Sequence, residues 1–476
     1  MKRYISTALC TLLLALMSVS CSDWFDVSPK TDVKAEQLFE SESGFQSALT
    51  GLYVKMTGGY VYGGAYTFNF MDKLAQRYDS HPLTEPTDDD RAVIYDYVNS
   101  NNSYNSKSWL ANMWINTYNV IANANNLLKW LDANGERVIT DESTRNHIRG
   151  EALAIRAMLH FDLLRGWGPI YSQNPQALSI PYRTVLDNTA QPRLAANRVV
   201  SLIVDDLLAA ENLLLDEEHV SLGTVAGSDR RYRLNLHAVR ALLARVLNYS
   251  NDKPAAVIYA KAAIDHCGLE FATNSSYKND PALFCETLFG LSYYDMGDRL
   301  SSYWTEGPNF NGHLYVTHQT IEEIFQTNEG MMGDLRGRTT GENGAFFYYP
   351  NYMEGISRKY LGRQNVVPLI RLPEMYYILC ESTSLDEAPQ WINTVRTIRE
   401  IPGTLSYGTF GSDEERIEAL DLEYRKEFYA EGQYFPFLKQ HARTTFLHCP
   451  LPAMTSAEYI FPLPDDEIEY GWVDGE

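Results

Sequence analysis

The chain is poor in basic residues and, beyond its N-terminus, in long apolar runs, and each shortage excludes a class of protein. It has 40 Lys and Arg against 61 Asp and Glu, for a net charge of −21. Nucleic acids are bound by basic residues that neutralise phosphates, so this chain is not expected to bind DNA or RNA. After residue 20 no apolar run reaches the roughly 20 residues of a membrane-spanning helix. The body of the protein is therefore not expected to cross a membrane.

Cysteine is also scarce. Six cysteines occur and no two form a Cys-x-x-Cys pair, so neither a metal cluster nor a redox motif is predicted. Cys267 and Cys285 could form a disulfide or remain buried thiols, and their spacing leaves both open. Three adjacent acids, Asp88 to Asp90, could ligate Ca²⁺, but a solvated acidic turn is favoured. No metal or cofactor is therefore expected.

The motifs of common catalytic sites are missing as well. The sequence contains no His-Glu-x-x-His, Gly-x-Ser-x-Gly or Gly-x-x-x-x-Gly-Lys segment, and these segments carry zinc, acyl-transfer and phosphate chemistry. Glycoside hydrolysis needs only two carboxylates about 5–10 Å apart, which so many acids could supply by chance. Because the dedicated catalytic motifs are missing, we expect a protein that is not an enzyme.

The first 20 residues have the composition of an export signal. Lys2 and Arg3 precede an apolar run from Ile5 to Met17, and small residues follow where a peptidase would cut. An uncleaved anchor helix is the alternative. Residues 18–21, Ser-Val-Ser-Cys, resemble the lipobox of bacterial lipoproteins, which implies that Cys21 carries acyl chains such as palmitate. Residues 21–34 would then be a lipidated tether.

Apolar residues recur at helical spacing over much of the remaining chain. A helix is predicted to begin near Ala35, and the clearest pattern runs from Glu142 to Trp167, where Gly168 and Pro169 end it. Close alanines in 235–249 and 253–266 predict an antiparallel helical hairpin. The further predicted helices are 106–132, 196–215, 372–384, 389–399 and 413–431.

The fold class that follows is mainly α, a helical-repeat, TPR-like scaffold with long irregular loops. Residues of about 268–367, rich in Gly, Asn, Asp and Tyr, are predicted to be a loop-rich insertion, and the end of the chain an extended strip. Because the late helices need partners among the early ones, residues 35–476 are predicted to form a single body. Loops on such a rigid scaffold commonly carry the binding residues.

Five segments, in this order, resemble the SusD/RagB family of surface lipoproteins. They are Cys-Ser-Asp-Trp-Phe-Asp-Val-Ser-Pro at 21–29, Glu-Ala-Leu-Ala-Ile-Arg-Ala at 151–157 with its continuation to Gly-Trp-Gly-Pro at 166–169, Pro-Leu-Ile-Arg-Leu-Pro-Glu-Met-Tyr-Tyr-Ile-Leu-Cys-Glu at 368–381, Ile-Asn-Thr-Val-Arg at 392–396, and Phe-Pro-Leu-Pro-Asp-Asp-Glu-Ile at 461–468. The chain departs from the family pattern at Tyr424 and Gln433, which indicates a divergent branch.

The resemblance implies a non-catalytic protein of the outer membrane, anchored through Cys21 and facing the cell exterior. It further implies that the protein captures oligosaccharides for import through a SusC-like TonB-dependent transporter. RagB-like members bind peptides, so a peptide cargo is one alternative. A helical-repeat adaptor that binds no ligand is the other.

Arginines within the family segments have a structural interpretation. Arg156, Arg371 and Arg396 lie on apolar segments beside acids such as Glu151, Glu374 and Glu381. We expect them to form buried ion pairs that orient the repeats rather than to contact a ligand.

Tyrosine is abundant, with 32 copies, and its rings suit the apolar faces of sugars. Two loop regions, Tyr60 to Tyr78 and Tyr293 to Tyr315, combine rings with Asn, Asp and Arg. The alternative is that these rings pack the loops against the helices. Trp304 is the strongest single candidate, because its polar loop offers it little core to fill. The predicted ligand-binding residues are Trp304, Tyr303, Asn309, Tyr62, Tyr66, Arg77 and Tyr78.

Overall fold

Stacked α-helices form most of the chain, as seen in a computed structural model that describes residues 35–79, 93–97, 106–300, 303, 314–341, 343–349, 354–361 and 365–471. The longer helices are α1 Glu42–Met56, α2 Ser106–Trp130, α3 Glu142–Trp167, α4 Ala196–Leu213, α5 Leu236–Tyr249, α6 Lys253–Ile264, α7 His318–Phe325, α8 Leu372–Ser382, α9 Ala388–Ile398, α10 Asp413–Glu427 and α11 Tyr434–Gln440. The mainly α, TPR-like fold class is confirmed.

Local sequence explains where these helices begin. Asp141 caps α3 by accepting a hydrogen bond from the Thr144 amide at 2.7 Å. Asn235 caps α5 through the Ala238 amide at 3.0 Å, and Ser412 caps α10 through the Glu415 amide at 3.2 Å. Such caps satisfy backbone donors that have no partner inside the helix. The predicted starts of α3 and α10 are therefore confirmed.

Two helix ends differ from the prediction. The helix predicted over 413–431 stops at Glu427, since Ala430 and Gly432 both have positive φ, at 62° and 69°, which a right-handed helix cannot contain. The end of the chain, predicted to be extended, instead includes α11 and two short helices. Further short helices are Ala35–Leu38, Phe70–Leu74, Glu136–Val138, Val225–Ser228, Asn274–Asn279, Met296–Leu300, Ser456–Tyr459 and Asp465–Tyr470.

The long helices pack as successive neighbours. α3 lies between α2 and α4, α5 lies between α4 and α6, and α8 lies between α6 and α9. α5 and α6 form the predicted hairpin, and Ala256, Ala260 and Ala263 of α6 are fully buried. Small side chains at these positions let the two helix axes approach closely.

The region of 268–367 contains more order than the sequence predicted. Its strands are β1 Thr287–Ser292, β2 Val316–Thr317, β3 Phe346–Tyr349 and β4 Glu354–Ser357. β1 pairs antiparallel with β5, Val366–Arg371, and β4 lies between β2 and β3. Every residue of β5 is buried, so this strand lacks the alternation by which a half-buried strand is recognised in a sequence.

One large hydrophobic core includes residues from Phe39 near the start to Phe461 near the end of the described chain. The ends are joined by polar contacts too. The Trp167 indole donates to the Pro462 carbonyl at 2.9 Å, and Lys439 Nζ donates to the carbonyls of Arg165, Gly166 and Gly168 at 2.7 to 2.9 Å. The C-terminal segments are thus packed against the end of α3.

The predicted arginine ion pairs exist, but with other partners. Arg156 binds Asp206 through two hydrogen bonds of 2.7 Å, whereas Glu151 pairs with Arg230 at 2.8 Å. The partners of Arg371 are Glu286, Glu427 and Glu431, that of Arg396 is Glu423, that of Glu374 is Arg245 and that of Glu381 is Lys253. The structural role predicted for these arginines is confirmed, and the sequence-local partners are corrected.

The described part of the chain shows neither a disulfide nor a metal site. Cys267, Cys285, Cys380 and Cys449 are free thiols, and burial raises the pKa of Cys285 and of Cys380 to about 12. Among the residues described above, no group of His, Cys, Asp and Glu is arranged to hold a metal ion. No helix in the same ranges is both long and apolar enough to span a bilayer. The acidic triplet 88–90 lies outside the described residues.

Candidate functional site

The two tyrosine-rich regions of the sequence meet in the structure. The backbone amide of Asp79 donates to the Tyr315 carbonyl at 3.1 Å. The Asp79 carboxylate accepts from the Thr317 amide at 2.5 Å and from the Thr320 hydroxyl at 2.8 Å. Asn69 Nδ2 also donates to the Tyr303 hydroxyl at 3.3 Å. These bonds join positions more than 200 residues apart, and we call the surface around them the Asp79 face.

Residues 57–70 form a chain of tight turns beneath this face. A Cβ at Gly63 would lie 2.0 Å from the Thr57 carbonyl oxygen and 2.8 Å from the Tyr293 ring, so only glycine fits there. Glycine at this position lets the backbone pack closely against Thr57 and Tyr293, and the neighbouring Tyr62 ring is buried. This close packing ties the start of the second tyrosine-rich region to the first.

Tyr62 and Tyr66 belong to the core. Both rings are buried, with centroids 5.7 Å apart. The Tyr62 hydroxyl donates to the Asp162 carboxylate, and the Tyr66 hydroxyl lies 3.3 Å from the Thr117 hydroxyl. Burial raises the pKa of both phenols. The prediction that these two rings contact a ligand is corrected, because no surface of either is open to one.

Arg77 is buried in the same way, and Tyr78 beside it is half-buried. Arg77 donates to the Arg425 carbonyl, and its guanidinium carbon lies 4.9 Å from the Tyr429 ring centroid and 5.3 Å from that of Tyr434. The Tyr78 hydroxyl donates to the Phe68 carbonyl at 2.6 Å. These contacts stabilise the floor of the Asp79 face. The predicted ligand role of the buried Arg77 is corrected to a structural one, whereas that of the half-buried Tyr78 stays a prediction.

Asp72 fastens this floor to the end of the chain. Its carboxylate accepts from the Ala430 amide at 2.5 Å and from the Gly432 amide at 3.0 Å. Burial raises the pKa of this carboxyl to about 7, although the nearby Arg77 and the two amides act in the opposite direction. No local pattern predicts this contact, since a lone aspartate after a run of aromatic residues has no distinctive spacing.

Tyr303, like Tyr78, is a predicted ligand-binding residue that keeps part of its side chain at the surface of the face. It is half-buried, and its ring meets Phe68 edge-on with centroids 5.5 Å apart. Its neighbour Trp304 and the predicted Asn309 lie outside the described residues. Their ligand role stays a prediction.

Two further rings of the tyrosine-rich regions, Tyr60 and Tyr294, are exposed, although neither is among the predicted ligand-binding residues. Tyr294 is 83% exposed and follows Tyr293, whose ring packs on Gly63. Tyr60 meets Trp109 edge-on at 5.0 Å and keeps part of its ring in solvent. An exposed tyrosine beside a buried one can be recognised only when the path of the backbone is known.

Comparison with known proteins places the chain among relatives. Residues 23–247 match a family model described as SusD-like, starch-binding and associating with the outer membrane. A SusD-like protein of Formosa agariphila is 23% identical over 527 aligned positions, which cover 97% of each chain.

Solved structures with a similar fold come from Bacteroides. A SusD superfamily protein of Bacteroides thetaiotaomicron, 20% identical, superimposes with a TM-score of 0.71 over 90% of this chain and 98% of its own. A SusD-like carbohydrate binding protein of Bacteroides vulgatus, 18% identical, gives 0.67 over 90% of this chain and 96% of its own. At these identities the likeness establishes the shared fold.

Proposed function

We propose that this chain, which is similar to SusD-like proteins, is a member of that family and a non-catalytic protein that captures oligosaccharides at the outer face of the outer membrane. The captured sugar is passed to a SusC-like TonB-dependent transporter. Cys21 carries the lipid anchor, and residues 21–34 link it to the folded body. The family description, starch-binding and associating with the outer membrane, supports both the ligand class and the location.

The meeting of the two tyrosine-rich regions at the Asp79 face carries this proposal. Both regions were selected because rings flanked by amides and acids suit sugars, and hydrogen bonds from Asp79 and Asn69 bring them together. The floor, made of the buried Phe68 and Arg77 and the half-buried Tyr78, is held by hydrogen bonds and ring contacts. A rigid floor lowers the entropy lost when loops above it bind a ligand.

Two buried acids of the scaffold are held as carboxylates by partners inside the protein. Burial opposes the charge of Glu423, but Arg336, Lys426 and Arg396 outweigh it and lower its pKa to about 2. The pKa of Glu381 is lowered by Lys253 and His441 despite its burial. Glycosidases need one carboxyl with a raised pKa as the general acid, and neither of these acids supplies it. Asp72 has a raised pKa, but its carboxyl is fully buried and accepts from the Ala430 and Gly432 amides, so it is not open to a sugar.

A lipid anchor suits the proposed partnership. Each acyl CH₂ contributes about 0.8 kcal/mol of membrane affinity, so several chains hold a protein permanently at the bilayer. A short tether then keeps the body at a high effective concentration over its transporter. Cys21→Ser is expected to shift the protein from the membrane to the soluble fraction. Its retention in salt-washed membranes would contradict the anchor.

Binding to the Asp79 face is tested with residues 22–476 and a panel of polysaccharides, by calorimetry and retardation gels. We expect saturable binding to one glycan that Trp304→Ala reduces by about ten-fold or more, since an aromatic contact carries roughly 1.5 kcal/mol beyond its buried area. Trp391→Ala is the control, because Trp391 packs on Tyr376 at 5.9 Å, away from the face. Heat from a casein peptide mixture with none from any glycan would contradict the sugar ligand and favour a peptide cargo.

A further inference from the structure

A groove of about 630 Å³ lies between α2, the segment of 181–191 and the C-terminal residues 464–471. It shares no residue with the Asp79 face. Trp114, Pro181 and Pro464 form its buried floor. A groove of this size falls within the range of sites that enclose a side chain or a small molecule.

The rim of this groove is apolar and open to solvent. Ile115, Val185 and Leu186 expose 52%, 51% and 48% of their surface, and Tyr470 exposes 72%. Large apolar side chains occur singly on most protein surfaces, whereas a cluster around one groove marks an interaction site. Three of these four side chains are aliphatic, which suits contact with another protein better than stacking on a sugar.

The groove is already formed in the isolated chain. Arg183 Nη1 donates to the Thr189 carbonyl at 2.6 Å and Nη2 donates to the Asp187 carbonyl at 2.9 Å. The Arg183 amide donates to His160 Nε2 at 3.0 Å, and the Tyr118 hydroxyl donates to the Pro181 carbonyl at 2.8 Å. Because these hydrogen bonds already hold the wall of the groove in place, little conformational entropy is lost when a partner docks.

The charge at the groove is acidic. Asp187 is paired with Arg183 at 2.8 Å, but Asp466 and Glu467 also line the groove. Burial raises the pKa of Glu467, although Trp114 and the nearby Arg183 and Arg193 act in the opposite direction. A basic side chain of a partner would stabilise this desolvated carboxylate.

Charge decides between the possible occupants. A second copy of this chain, with a net charge of −21, would be repelled. The residues that follow Gly471 include Asp474 and Glu476, which do not complement an acidic rim. A basic segment of another protein does complement it.

We propose that this groove docks a segment of the partner transporter that carries an apolar side chain beside Lys or Arg. The inference rests on the proposed partnership and adds to it the surface through which the two proteins associate. Leu186, Val185 and Ile115 receive the apolar side chain, and Asp466 and Glu467 receive the cation. The Asp79 face remains free for the sugar.

The test compares two pairs of variants of the full-length chain in native membranes. Leu186→Glu disrupts the apolar rim, and Leu178→Glu is its control, because Leu178 is also 48% exposed and lies outside the groove. Asp466→Lys reverses the rim charge, and Asp205→Lys changes an exposed acid on α4 in the same way. The chain is captured by antibody from solubilised membranes, and the co-purified TonB-dependent barrel is quantified by mass spectrometry.

We expect Leu186→Glu and Asp466→Lys to reduce the co-purified barrel by about five-fold or more, as truncation of an interface hot spot does. The two controls should match the wild type, and all four isolated bodies should keep the wild-type glycan affinity.

Equal barrel recovery with the groove variants and the controls would overturn the inference while leaving the transporter partnership intact. Failure of the wild-type chain to recover a barrel would overturn both the docking surface and the transporter partnership. The glycan titrations test the sugar-binding function independently of that result. Loss of casein-peptide binding in Leu186→Glu, with barrel recovery unchanged, would assign the groove to cargo and overturn the docking role.

Discussion

At the scale of single residues, tyrosines in similar sequence environments differ in burial and in role. Tyr62 donates its hydroxyl to one oxygen of the Asp162 carboxylate, and Arg165 Nε donates to the other at 3.1 Å. Tyr294, in an equally polar segment, exposes most of its ring. Composition alone cannot separate these cases, because a tyrosine has both an apolar body and a polar tip.

Tyr62→Phe tests the structural role assigned to this ring. Loss of the hydroxyl leaves a buried carboxylate with one donor fewer, which is expected to lower the free energy of unfolding by about 1–3 kcal/mol. Glycan affinity should stay at the wild-type value. Urea denaturation and calorimetry measure the two quantities, with Tyr294→Phe as the exposed control. A fall in glycan affinity without a fall in stability would return Tyr62 to the binding surface.

At the scale of secondary-structure elements, the α5–α6 hairpin depends on small side chains. Ala256, Ala260 and Ala263 of α6 are fully buried, and α5 is buried along its whole length. The turn between them places Asn251 at a φ of 66°, a conformation that asparagine tolerates better than most residues. The hairpin could be predicted because alanine spacing and the Asn-Asp turn are local signals.

Ala260→Leu is expected to destabilise the protein by about 1–3 kcal/mol, because the added atoms have no space between the two helices. Ile258→Leu, on the same helix at a position 64% exposed, should change the free energy of unfolding little. Urea denaturation of both variants measures the difference. Equal stability of the two variants would show that the hairpin is packed more loosely than the burial of Ala260 indicates.

Other elements could not be predicted from local signals. β1 and β5 are buried over almost their whole length, so neither shows an alternation of polar and apolar residues. α11 begins just after Gly432, and its seven residues include Pro436. Because so short a helix has few backbone hydrogen bonds within itself, its tertiary contacts stabilise it here.

At the scale of the whole molecule, a buried network of charges joins distant segments. Arg371 of β5 binds Glu286 at 2.5 Å and Glu427 at 2.7 Å. Arg399, just after α9, binds the same two acids at 2.6 and 2.7 Å. Arg396 on α9 and Arg336 on a further segment both bind Glu423. Loss of one member would leave its partners charged and buried, which is strongly destabilising.

This network predicts the response of the protein to acid. The arginines around Glu423 lower its pKa from 4.5 to about 2 against the effect of burial. A pKa lowered in the folded state adds stability that is complete above the unfolded value and is lost as pH falls toward 2. The expected loss from this one group is about 3 kcal/mol between roughly pH 5 and pH 2.

The free energy of unfolding at pH 7 and pH 3 provides the measurement. Glu423→Gln should be less stable than the wild type at pH 7 and should lose less stability on acidification, because the amide does not titrate. Glu418→Gln changes another acid of α10 outside the network and should keep the wild-type pH dependence. An unchanged pH dependence in Glu423→Gln would contradict the lowered pKa.

The sequence by itself determined most of the helices and the fold class, because helical periodicity and caps are read within a few turns of chain. It also determined that Arg156, Arg371 and Arg396 would be structural, since charges within apolar segments need partners. Only the tertiary structure decided which partners these are, because Arg371 and Glu286 lie 85 residues apart and Arg245 and Glu374 lie 129 apart. It likewise decided that Tyr62 and Arg77 are buried while Asp79 joins the two tyrosine-rich regions. Contacts over such separations depend on how the whole chain packs, which no local pattern records.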